Sequence, residues 1–150
     1  MSDKIIDKVE AGRQVDEARL AQGLTWRELA EVIDRPLVWT VAALLGKHPV
    51  PRDRADLACE RLGLDARVAT ALTRQPYRVA DPALATDPTI YRFHEALDVY
   101  GQAVKELIHE EFGDGIMSAI NFSVDFAKEE DPQGDRVVVT FNGKFLPYQW

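Results

Sequence analysis

The segment from Asp87 to Phe126 changes its apolar period almost without a pause, and that change limits what the rest of the chain can become. Asp87 suits a helix cap and Pro88 a first helical position, and Ile90, Phe93, Leu97, Tyr100, Val104 and Leu107 follow at alternating spacings of three and four. That spacing lays an apolar stripe along a helix. The stripe stops at Gly113-Asp114-Gly115, after which Ile116, Ser118, Ile120, Phe122, Val124 and Phe126 alternate with Met117, Ala119, Asn121, Ser123 and Asp125 in the period of a strand. This register puts Ser118 on an otherwise apolar face. A charged loop, Lys128 to Asp135, leads to a second strand from Arg136 to Phe141, and Asn142-Gly143 reads as a tight hairpin turn into the short strand Lys144-Phe145-Leu146. Two substantial strands and one short one cannot shelter so many apolar and aromatic side chains unaided. Pairing with the same element of a second chain is the natural remedy, so a dimer or larger assembly through this half is expected.

The first half carries a different pattern. Val9 to Leu24 reads as a helix stopped by Gly23, and Thr25 with Glu28 three residues on forms a capping box ahead of Leu29, Val32 and Ile33. Asp34-Arg35-Pro36 breaks the chain, Leu37 to Leu45 makes an apolar helix ending at Gly46, and Pro49-Val50-Pro51 breaks it again before Arg54 to Leu62, with Gly63 as a left-handed cap. Residues 1–75 are thus expected to form an all-helical bundle, 76–85 a linker containing Pro76 and Pro82, and 86–150 an α+β unit.

Charge and composition exclude several classes of function. No apolar run approaches the roughly 20 residues of a membrane span, and Met1-Ser2-Asp3-Lys4 opens no secretory segment, so a cytoplasmic location is expected. The single cysteine, Cys59, cannot form an internal disulfide. His48, His94 and His109 are too scattered for a metal site, and no cofactor is implied. Residues 1–80 hold 13 basic and 12 acidic side chains, whereas 81–150 hold 5 and 13, so the net charge of −7 belongs to the C-terminal half. A phosphate-tracking surface does not fit that balance.

Gly23-Leu24-Thr25-Trp26-Arg27-Glu28-Leu29-Ala30 followed by a break and a second helix resembles the helix-turn-helix of small repressors. Its second helix opens Leu37-Val38-Trp39-Thr40-Val41, without the Arg, Lys, Asn or Gln that reads base edges. The unit therefore suits packing better than DNA recognition, and no nucleic acid is expected as a partner. Arg92 and Glu95 lie three apart on the strong helix, off the Phe93 and Leu97 stripe. Two readings stay open for them: an exposed ion pair, or a cleft in which Arg92 offers a planar fork to a small anion and Glu95 orients it. Ser118 is likewise either a small residue tolerated in a strand or a hydroxyl in want of a polar partner such as an anion. No histidine is placed to activate it, which favours hydrogen bonding over covalent attack.

Thr86-Asp87-Pro88-Thr89-Ile90-Tyr91-Arg92-Phe93 and Phe112-Gly113-Asp114-Gly115-Ile116-Met117-Ser118-Ala119-Ile120-Asn121-Phe122 together resemble the signature of the cyanase (cyanate hydratase, cyanate lyase) family. Thr40 to Gly46 and Asn142-Gly143-Lys144-Phe145-Leu146-Pro147 resemble it too, so the likeness covers nearly the whole chain. It implies a repressor-like helical domain and a C-terminal α+β dimerisation domain with intertwined strands, five dimers forming a decamer. It also implies a bicarbonate-dependent breakdown of cyanate to carbamate and carbon dioxide, the carbamate decaying to ammonia and carbon dioxide. Bicarbonate would be a co-substrate and no cofactor would be needed. The family's catalytic Arg, Glu and Ser fall on Arg92, Glu95 and Ser118, in sites shared between subunits. The rival expectation is a non-enzymatic helix-turn-helix regulator that senses a small anion.

Overall fold

The computed structural model describes residues 4–150, and among these residues there are seven helices and one two-stranded antiparallel sheet, an α+β architecture. The order is α1 (Lys8–Ala21), α2 (Trp26–Ile33), α3 (Leu37–Leu44), α4 (Arg52–Leu62), α5 (Ala66–Leu72), α6 (Pro82–Thr86), α7 (Pro88–Phe112), β1 (Gly115–Glu129) and β2 (Arg136–Pro147). Two compact units emerge, one of residues up to Arg78 with Val124–Thr140, the other of Val79–Ser123 with Phe141–Trp150.

Helices α1 to α5 surround a core in which Val15, Leu29, Ile33, Leu44, Val50, Val68 and Leu72 are fully buried. The capping box forms as its spacing predicts: the Thr25 hydroxyl accepts from the Glu28 N–H at 3.1 Å while the Thr25 N–H donates to the Glu28 carboxylate at 2.7 Å. Arg19 fastens α1 to this start, donating to the Leu24 carbonyl at 2.9 Å and lying 4.5 Å above the Trp26 ring. The bond from the Thr25 N–H, helped by its hydroxyl, holds the Glu28 carboxyl below its ordinary 4.5. A depressed carboxylate stabilises the fold above its unfolded pKa, and that contribution disappears as pH falls through the folded value. Glu28→Gln should therefore melt earlier than the parent at neutral pH, and the gap between the two melting curves should close as the pH falls below the ordinary carboxylate range. A gap independent of pH would contradict the assignment.

Cys59 sits in α4 with 4% of its surface exposed, and burial, aided by Asp56, pushes its thiol up to about 11. It is a small apolar core residue. Iodoacetamide at pH 8 should label it only after denaturation, because both thiolate and access are missing in the folded state. Labelling of the native protein at the denatured rate would contradict this.

Three sequence expectations are corrected. The stretch read as linker carries α6, which Pro82 starts at its first turn and Asp81 caps by accepting from the Ala83 N–H at 2.9 Å. Asn142-Gly143 is not a turn: β2 runs straight through it to Pro147, and β1 and β2 are joined instead across residues 130–135. The alternation along β1 also fails locally. Ser118 is 5% exposed while Ile120, two residues on, is 97% exposed, so they do not share one buried face.

Candidate functional site

Helix α7 begins where expected because Asp87 accepts from the N–H groups of Thr89 and Ile90 at 2.9 and 3.1 Å and Pro88 occupies the first turn. This start fixes the phase of everything that follows. None of its 25 residues is buried in the single chain, and Phe93, Leu97, Tyr100, Val104 and Leu107 all stand exposed along the stripe. Contiguous apolar surface of this kind marks an interaction site rather than a solvated face.

Arg92 and Glu95 project from the opening turns of α7. The guanidinium donates through one Nη to the Glu95 carboxylate at 2.6 Å, and the side chains remain 73% and 52% exposed. One carboxylate oxygen holds one edge of the guanidinium, and the other N–H groups of the fork have no hydrogen-bond acceptor among the described residues. As a stability element an exposed pair contributes less than about 1 kcal/mol. As a recognition element it is a fixed positive charge in an acidic half of the chain, held in orientation and open on its other side.

Ser118 is built differently. Its hydroxyl oxygen accepts two backbone hydrogen bonds, from the N–H of Ile120 and the N–H of Asn121, both at 3.0 Å. Both amides belong to the two positions after Ala119, on the same strand as the serine. Asp114 is engaged elsewhere, its carbonyl accepting from the Tyr148 N–H at 3.0 Å and its carboxylate from the Trp150 indole at 3.3 Å. With two N–H groups on its oxygen, the remaining directional capacity of the Ser118 hydroxyl is its proton. The environment suits donation and disfavours nucleophilic attack, since the lone pairs are already used.

The structure therefore brings Arg92 and Glu95 together and leaves Ser118 bonded to its own strand, with neither of them among its partners. The sequence did not point to the amides of Ile120 and Asn121 or to Gly143, where a Cβ would run into Met117 and the Ser118 carbonyl. The Asn-Gly pair is a visible signal at that position, but its common meaning is a tight turn. No group of three or more His, Cys, Asp or Glu among the described residues could hold a metal ion, and none of their helices is long and apolar enough to cross a membrane.

The chain is similar to known proteins over nearly its whole length. Residues 9–76 match the family described as "Cyanate hydratase, N-terminal" and residues 82–150 the "Cyanate lyase C-terminal domain". It is 63% identical over 142 residues to the cyanate hydratase of Mycolicibacterium vanbaalenii, covering 94% of this chain and 93% of that protein. It is 50% identical over 137 residues to that of Pseudomonas syringae pv. tomato, covering 91% and 88%. The crystal structure of cyanase from T. urticae matches with a TM-score of 0.83 at 39% identity, over 91% of this chain and 96% of that one.

Proposed function

The chain belongs to the cyanate hydratase family, and we propose that it decomposes cyanate with bicarbonate at a site made of Arg92, Glu95 and Ser118. The observation that carries the site reading is the oriented guanidinium of Arg92, open on its outer side, and it is supported by a Ser118 hydroxyl whose free capacity is donation.

Cyanate and bicarbonate are both anions, so their encounter is repulsive and their adduct concentrates negative charge. Arg92 neutralises and aligns them. As a bicarbonate oxygen adds to the cyanate carbon, charge develops on cyanate oxygen and nitrogen. The nitrogen takes two protons, one from the bicarbonate hydroxyl and one from solvent, the bond between the bridging oxygen and the former bicarbonate carbon breaks, and carbon dioxide leaves carbamate behind. Ser118 donates its proton in a hydrogen bond to the developing oxyanion or carboxylate, while Glu95 holds the guanidinium in place and does not attack. Carbamate then decays to ammonia and carbon dioxide.

The uncovered stripe on α7 supports self-association, with a decamer of five dimers as the expected form and active sites shared between chains. Sharing would gather several copies of Arg92 and bring Ser118 of one chain to Arg92 of another. The reaction so written needs no cofactor, and a cytoplasmic site of action is part of the same reading. DNA binding has little to recommend it, because the second helix of the repressor-like pair opens with Leu37, Val38, Trp39 and a fully buried Thr40.

Chelator-treated protein in metal-free buffer should still release ammonia from cyanate at the full rate. Activity that vanishes and returns only with a divalent ion would overturn the cofactor-free mechanism. Ser118→Ala should lower kcat about a hundredfold, the usual effect of losing one donor to a developing oxyanion. Mass spectrometry of the working enzyme should find no acyl group on Ser118, and trapping one would contradict the donor role.

A further inference from the structure

We infer that Gly143 is a positioning residue for the Ser118 hydroxyl, an inference that rests on the donor role proposed for Ser118. Gly143 lies within β2, far from any turn, and it is not among the residues with positive φ, so backbone freedom does not explain a glycine there. Space does. A Cβ at this position would lie 2.5 Å from the Ser118 carbonyl oxygen and 3.1 Å from the Met117 sulfur, with the Met117 Cγ closer still. Real Cβ atoms do not approach backbone oxygen so closely, and a carbonyl fixed in a strand cannot swing aside as the end of a side chain can. The glycine thus lets β2 close onto β1 at the residue that carries the hydroxyl.

The same peptide sets the geometry of that hydroxyl. Ser118 Oγ accepts from Ile120 and Asn121 at 3.0 Å each, an arrangement that depends on the backbone path from 118 to 121. Pushing the Ser118 carbonyl outward turns the peptide that joins it to Ala119 and moves the hydroxyl relative to both amides. Ser118 is 5% exposed, so it has little room to recover its place by choosing another rotamer. Gly115 makes a comparable close approach, but the atoms nearest to a Cβ there are the Leu146 carbonyl and the Phe145 ring instead of the Ser118 carbonyl. It serves as the control for strand strain in general.

The experiment is a double-mutant cycle on the assembled enzyme with Gly143→Ala and Ser118→Ala, followed by kcat and KM for cyanate. Gly143→Ala is expected to lower kcat about tenfold or more in the parent, since small misplacements of a catalytic group have effects of that size. In the Ser118→Ala background the same substitution should lower kcat less than about twofold, because the group it misplaces is gone. Hydrogen exchange at Ile120 and Asn121 should also quicken in Gly143→Ala and not in Gly115→Ala. If Gly143→Ala does not fold, combining it with Met117→Ala removes the side-chain part of the clash and keeps the carbonyl part, and the same cycle is run on that pair. Equal losses in both backgrounds, or an unchanged kcat, would overturn the positioning role and leave the function of Ser118 standing. Full activity of Ser118→Ala alone would instead remove the donor role, and this inference with it.

Discussion

Replacing Arg92 by lysine is expected to lower kcat by about a hundredfold or more while the melting temperature stays as it is. The two side chains carry the same charge, so a mechanism that needed only a positive field would survive the change. What lysine loses is the planar fork. In the structure one Nη of Arg92 is committed to Glu95 at 2.6 Å, and the rest of the guanidinium is free to meet an anion from a fixed direction. A single ammonium cannot be held by Glu95 and present parallel donors to a carboxylate-like partner at once. Stability should not follow activity down, because the pair is 73% and 52% exposed and such pairs contribute little to folding. Steady-state kinetics with calorimetry separates the two. An unchanged kcat would remove Arg92 from the chemistry.

The second large effect is expected from Leu97→Asp combined with Leu107→Asp. Leu97 and Leu107 are 62% and 59% exposed in the single chain, on a helix with no buried residue, so nothing within that chain requires them to be apolar. If they meet other chains, each substitution forfeits about 1.5–3 kcal/mol of apolar burial and strands an unpaired carboxylate in the contact. The loss repeats in every subunit. Sedimentation should show a fall to small species, and turnover should fall with it because the sites would be incomplete, while far-UV circular dichroism keeps the helical signal of α1 to α5. A large assembly that persists with normal activity would contradict the reading of this stripe as an interface.

These two predictions come from parts of the molecule that the sequence made legible to different degrees. The capping residues were readable because their partners are three residues away: Thr25 with Glu28, and Asp87 with Ile90, form the bonds their spacing implies. The apolar stripe of α7 was readable for the same reason, and so was the shortage of strands to cover it, although two strands form instead of the expected two long and one short. Helix α6 was hidden because five residues give no period, and two prolines suggested a break. Along β1 the alternation was misleading at one place. Ser118 diverts two backbone N–H groups to its own hydroxyl, so burial no longer follows a period of two.

The Asn142-Gly143 pair is the clearest case of a signal with two physical meanings. Glycine after asparagine favours a tight turn, but glycine also lets two backbones approach, and only the opposite strand decides which applies. Here Met117 and Ser118 decide it. Arg92 with Glu95 could be placed from spacing, whereas Ser118, which shares no hydrogen bond with either among the described residues, enters the proposed site through the family resemblance.

The central claim is that one anion attacks another under the control of a fixed guanidinium and a donor hydroxyl. Ammonia release from cyanate tests it most directly, measured on the purified protein with carbon dioxide and bicarbonate rigorously removed and then restored. Release that is absent without bicarbonate and rises to a plateau as bicarbonate returns is the predicted result. Release at the same rate in both conditions would show that water, not bicarbonate, is the attacking partner. No release in either, from protein shown to be folded and assembled, would contradict the enzymatic account and favour the anion-sensing regulator.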